Sequence, residues 1–101
     1  MLIWIPVDGE DAKLSNIMPQ LQATKWALVD FDAGEVKSVR FYDSREACEE
    51  DWVDFVVLAN KYESYIDFMN DGMMVLCVRE EKSIEDIMEA YKFKELDEVG
   101  F

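Results

Sequence analysis

Leu2-Ile3-Trp4-Ile5-Pro6-Val7 runs without a charge into Asp8-Gly9. An unbroken apolar run of this length, closed by a turn pair, is the pattern of a strand buried on both faces, and such a strand belongs in the middle of a sheet. The neighbours of that strand must come from the rest of the chain. Lys25 to Asp32 and Glu35 to Tyr42 are two strand-like runs joined by Ala33-Gly34. A turn that short, with glycine available for positive φ, makes them a hairpin and therefore antiparallel. Lys37, Ser38 and Arg40 interleave with Val36, Val39 and Phe41 in the second run. Charges placed this way suit an edge strand that must discourage pairing with other chains.

Two further apolar runs, Val53 to Ala59 and Met73 to Val78, read as buried strands, each followed by a helical pattern. After the first, Asn60 is placed to cap a helix with Tyr62, Tyr65, Ile66 and Met69 at i, i+3, i+4 and i+7, and Asp71-Gly72 ends it. After the second, Ser83 and Asp86 open a helix carrying Ile84, Ile87, Met88 and Tyr91. Asp43 with Glu46 marks a third, brief helix through Ala47 and Cys48. Residues from Gly9 to Ala23 lack a period; Ser15 could cap a short helix over Asn16 to Leu21, but Pro19 opposes it, so the stretch reads as an ordered loop. The order is three strands, then helix, strand, helix, strand, helix, an antiparallel start giving way to β-α-β units. The expected core includes Ile3, Ile5, Leu28, Val56, Leu58, Ile66, Val75, Cys77, Ile87 and Tyr91.

Length and charge narrow the function. The chain has 101 residues, enough for one domain spanning 1-101. Its 23 acids against 10 bases leave a formal charge of -13, a field that repels phosphate backbones and favours a protein partner with a basic surface. There is no histidine and no CxxC pair, so the usual zinc-ligand spacings cannot be assembled. Neither a signal h-region nor a membrane span is recognisable. The expectation is a cytoplasmic protein, away from membranes and nucleic acid, with the Cys48 and Cys77 thiols free.

The opening Ile3-Trp4-Ile5-Pro6-Val7-Asp8-Gly9, the hairpin Val29-Asp30-Phe31-Asp32-Ala33-Gly34-Glu35-Val36-Lys37-Ser38-Val39, the strand Val53-Asp54-Phe55-Val56-Val57 and the closing Ser83-Ile84-Glu85-Asp86-Ile87-Met88-Glu89-Ala90-Tyr91 together resemble the dinitrogenase iron-molybdenum cofactor family, which includes NifX-type carriers and the carboxy-terminal domain of NifB-type proteins. The resemblance covers nearly the whole chain. It implies an α/β, ribonuclease-H-like three-layer fold with a five-stranded mixed sheet in order 3-2-1-4-5, helices on its faces, and only the second strand antiparallel to its neighbours. It also implies an iron-sulfur or iron-molybdenum cluster as cargo, held where the first and fourth strands open a crevice at their carboxyl ends. The loops Asp8 to Met18 and Asn60 to Ser64 would wall that crevice, making Asp8, Ser15, Asn60, Lys61 and Tyr62 the candidate binding residues.

Both loops depart from the family. Where members often carry a His-Phe-Gly-Arg-like stretch after the serine matched by Ser15, this chain has Asn16-Ile17-Met18-Pro19. Where they have a glycine-rich turn after the fourth strand, it has Asn60-Lys61-Tyr62-Glu63-Ser64. The first change removes an imidazole ligand and the second adds side chains where close backbone approach needs glycine. Two other chemistries use residues of this chain. Asp8, Asp30 and Asp54 could form a two-metal nuclease centre, but carboxylates at strand ends are common and the net charge opposes nucleic acid. Cys48 and Cys77 could ligate a metal-sulfur cluster, but both are most simply packed side chains. With no base to activate a nucleophile, no catalytic residue is expected. The reading is a non-enzymatic accessory protein with a degenerate cluster site, acting through protein contacts; a cluster carrier is the alternative.

Overall fold

The computed structural model describes residues 1–50 and 52–100. Strands β1 (Leu2–Val7), β2 (Lys25–Asp32), β3 (Glu35–Tyr42), β4 (Phe55–Leu58), β5 (Met74–Cys77) and β6 (Asp97–Glu98) form one mixed sheet in the order β3-β2-β1-β4-β5-β6. Helix α1 (Ile66–Asn70) precedes β5 and helix α2 (Ile84–Lys92) precedes β6. β1 is central, antiparallel to β2 on one side and parallel to β4 on the other. Its alternating side chains serve two cores. Ile3, Ile5 and Val7 pack with Ile84, Ile87 and Met88 of α2, while Trp4 packs with Phe68 of α1 on the opposite face.

The β2–β3 hairpin turns on Ala33 and Gly34, both at positive φ (52° and 78°). Two left-handed central residues give the turn a twist that matches the strands it joins. β3 is the edge strand expected, with exposed side chains along most of its length. Ser83 caps α2, its Oγ accepting a hydrogen bond from Asp86 N at 3.1 Å. Gly72, at φ 86°, follows α1 as the left-handed residue.

The sheet has six strands, not five. β6 was not expected because two residues carry no periodic signal; it pairs antiparallel to β5 through Leu76 and Cys77, so β2 is not the only antiparallel strand. The helix expected from Asn60 onward is only Ile66–Asn70. Its inward residue is Phe68, with Tyr65 and Met69 beside it, while Tyr62 and Ile66 are 86% and 53% exposed. Ile66 is therefore not a core residue. Tyr91 is only partly buried, at the margin of the α2 core. The Asp43–Glu46 capping box is absent: Arg45–Ala47 is a single 3-10 turn with no side-chain cap. No helix starts at Ser15 either; a 3-10 turn, Gln20–Gln22, follows Pro19.

The two isoleucines separate the helices by their packing. In equilibrium urea unfolding, Ile87→Ala should cost about 2–5 kcal/mol, as a fully buried aliphatic truncation does. Ile66→Ala should change stability by less than about 0.5 kcal/mol, as at a surface position.

Candidate functional site

The carboxyl end of β1 meets a supply problem. β4 pairs with β1 only at Ile3 and Trp4, so the backbone from Pro6 onward has an open edge on that side. The chain closes it with its own next segment. Met18 N donates to Pro6 O (2.9 Å) and Asp8 N to Asn16 O (3.1 Å), forming an antiparallel bridge between Val7 and Ile17. On its other side the same segment is held by the loop after β5: Ile17 N donates to Lys82 O at 2.7 Å, and Asn16 bridges to Ser83. Asn16–Met18 thus lies as a short extended splice between β1 and the start of α2, with Ile17 packed on the core below.

The turn leading into this splice is tied internally. The Asp8 carboxylate accepts from Asn16 N at 2.8 Å. Ser15 is buried, its Oγ accepting from Asp11 N (3.1 Å) and its own N–H donating to Asp11 O (3.0 Å). The Asp11 carboxylate accepts in turn from Lys13 N and Leu14 N. A Cβ at Gly9 would lie 3.1 Å from Ser15 Oγ, so the turn closes tightly over the serine.

The second loop follows β4. Asn60 Oδ1 accepts from Tyr62 N at 2.9 Å, and Glu63 reaches back so that one carboxylate oxygen accepts from Asn60 N at 3.1 Å. This is half of a capping box, built without a helix to cap. The other oxygen of Glu63 accepts from Gln20 N at 2.6 Å, and Gln20 Nε2 donates to Ser64 O at 3.0 Å. Lys61 and Tyr62 stand outside, the ammonium 5.5 Å from the phenol ring, both exposed.

The five candidate residues therefore fall into two groups. Asp8 and Ser15 spend their polar atoms folding the first loop, and Asn60 folds the second. What joins the loops is Gln20 with Glu63, and what fills the space between β1 and the loop after β5 is Ile17. None of these three is among the candidate residues that the sequence offers. Asn60-Lys61-Tyr62-Glu63 does have the three-residue spacing of a reciprocal cap, and that was the available signal for Glu63.

The donors present do not suit a soft metal-sulfur cluster. Cys77, the last residue of β5, is buried, and burial, with Asp97 second, pushes its thiol up, away from the thiolate that ligation needs. Cys48 lies beside Trp4, Val53 and Met73, at the amino ends of β4 and β5, while Cys77 is at the carboxyl end of β5. The two thiols serve opposite ends of the sheet. Among the described residues no three His, Cys, Asp or Glu side chains gather as a metal-binding group.

The carboxylates of the nuclease reading are divided between the two ends of β1. Asp8 follows the carboxyl end of β1, whereas Asp30 is paired with Leu2 at its amino end and Asp54 precedes β4. Asp54 accepts from Leu2 N (2.9 Å) and Trp52 Nε1 (3.1 Å), a structural use of both oxygens. Among the described residues no helix is long and apolar enough to cross a membrane.

No family model and no curated protein matches the chain. Its fold is nevertheless that of several solved structures. A candidate dinitrogenase from Methanocaldococcus jannaschii aligns with a TM-score of 0.79 at 16% identity, over 99% of this chain and 95% of that one. A solution structure of the same protein, under the name Methanococcus jannaschii, gives 0.75 at 15% identity, over 100% and 94%. A candidate NifB protein from Thermotoga, of the DUF35 family, gives 0.72 at 16% identity, over 99% and 95%. These neighbours carry the names that the sequence resemblance pointed to, and at such identities what the chain shares with them is the mixed six-stranded α/β fold.

Proposed function

We propose that this protein is a non-enzymatic accessory protein of the dinitrogenase-cofactor type in which the cluster crevice has been closed, leaving protein contacts as its mode of action. The observation that carries the reading is the Asn16–Met18 splice, hydrogen-bonded to β1 on one side and to Lys82 on the other, in the place where cargo would enter. Glu63 reinforces the closure, since its carboxylate holds Asn60 and Gln20 together and sets a negative charge where an anionic cluster would have to sit. Soft ligation is unsupported at the same end because the Cys77 thiol is buried and held neutral. The ribonuclease-H-like reading of the sheet rests on the order of its first five strands, and the accessory role rests on likeness to the neighbours named above.

An acidic surface of formal charge -13 favours a basic protein partner by long-range attraction. The carrier reading is supported by the names of the structural neighbours, and one experiment separates the two. Anaerobic reconstitution with iron, sulfide and molybdate, followed by desalting and metal analysis, should leave far less than one metal equivalent per chain. Stoichiometric metal that disappears in Cys48→Ser or Cys77→Ser would overturn the closed-crevice reading in favour of the carrier.

The lock itself is testable by stability. Glu63→Ala removes the acceptor of two backbone N–H groups and should cost about 1–3 kcal/mol in urea unfolding, with Glu63→Gln, which keeps one acceptor oxygen, costing less. A loss no larger than a surface substitution gives would show that the two loops hold together without it.

A further inference from the structure

An apolar groove opens at the end of the sheet opposite the closed crevice. Its walls are Phe31, Phe55, Met74, Leu76, Tyr91 and Leu96, and it holds about 570 Å³, within the range of small-molecule sites, roughly 300–1,000 Å³. The walls are preorganised by three rings: Tyr91 meets Phe31 edge-on at 5.4 Å and 90°, and Phe55 at 5.3 Å and 72°. Met74, at 43% exposure, leaves apolar surface facing solvent.

Two lysines lie on the rim. Five of the ten basic residues, Lys25, Lys37, Arg40, Arg45 and Arg79, are committed to ion pairs with acids. Lys92 and Lys94, both lining the groove, make no ion pair among the described residues, and Glu98 is the carboxylate that shares the lining with them. Helix capping does not require these two ammonium groups. The last carbonyls of α2 are already served by backbone donors, Phe93 N on Glu89 O (3.1 Å), Lys94 N on Tyr91 O (3.1 Å) and Glu95 N on Ala90 O (2.8 Å).

Lys94 also occupies a costly position. Its φ is 60°, the left-handed place after a helix where glycine is unstrained. Lys94, which lines the groove, holds this conformation at the expense of backbone comfort, and residues held in such conformations tend to gather at functional sites.

We infer that this groove binds a small amphiphilic carboxylate, its apolar body lying against the Phe31–Tyr91–Phe55 rings and its head between Lys92 and Lys94. The ammonium groups decide the sign of the ligand. Aromatic walls alone would accept a cation, but two lysines at the mouth disfavour one, and a neutral amphiphile gains nothing from them.

The test uses the ¹⁵N-labelled full chain, titrated below micellar concentration with decanoate, decanol and decyltrimethylammonium while amide shifts are followed. Decanoate should shift the amides of Leu76, Tyr91, Lys94 and Leu96 saturably. It should bind more tightly than decanol by about two- to fivefold per ammonium, as exposed ion pairs do, and the advantage should shrink as salt is raised. Lys92→Gln with Lys94→Gln should bring decanoate to the level of decanol. Lys94→Gly should weaken decanoate while raising the thermal midpoint, a combination that a purely structural lysine would not give. Equal binding of decanoate and decanol, tighter binding of the cation, saturable shifts confined to other residues, or concentration-dependent shifts of the groove amides without ligand, the sign of a second copy seated there, would each overturn the assignment.

Discussion

The central strand must find a partner for every backbone polar group along both edges, because neither of its faces admits water. Buried N–H and C=O groups left unpaired are costly enough that native chains almost never leave them so. β2 satisfies one edge of β1 throughout, from Leu2 to Val7. β4 satisfies the other only over its first part, since it meets β1 at Ile3 and Trp4. The obligation left at Pro6 and Asp8 is met by Asn16 and Met18, and from that single requirement follow the route of the first loop and the position of Ile17. Glu63 and Gln20 then join this loop to the one after β4.

The two faces of the sheet solve the covering problem differently. On one, the nine residues of α2 supply an aliphatic stripe, Ile84, Ile87 and Met88, against Ile3, Ile5 and Val57. On the other, α1 has only five residues and one buried side chain, Phe68. Large aromatic side chains do the covering there instead. Trp4 meets Trp26 and Tyr42 edge-on at 5.9 and 5.8 Å, and the Arg45 guanidinium lies 4.4 Å from the Phe68 ring centre and 5.5 Å from that of Trp26. A cation over two rings contributes attraction of its own beyond burial, which is why a short helix suffices.

What could be read from the residues alone was whatever depended on unbroken hydrophobic runs or on turn chemistry. β1, β2 and β3 have the boundaries that Leu2 to Val7, Lys25 to Asp32 and Glu35 to Tyr42 indicated, because each run is long and Ala33-Gly34 punctuates the hairpin. α2 was legible through Ser83 and its stripe. α1 was overextended because Tyr62, Tyr65, Ile66 and Met69 happen to fall at helical spacing, whereas Glu63 is held in a turn by Asn60 N and Gln20 N, a tertiary contact 43 residues away in sequence that no local pattern encodes. The two candidate loops follow β1 and β4. The hydrogen bonds that tie the first loop to β1 are not legible in the sequence, since they depend on how far β4 fails to follow β1.

The splice beside β1 also bears on how the chain is made. β1 is synthesised well ahead of β4, its parallel neighbour; the Leu2 N to Asp54 contact spans 52 positions. An apolar strand left open for that interval invites association with other nascent chains. Here the exposed part of its far edge is covered by residues 16–18, which are synthesised soon after it, and the near edge by β2, complete by residue 32. The Ile3–Trp4 portion must wait for β4, and the splice itself is held on its second side only once Lys82 and Ser83 have been made.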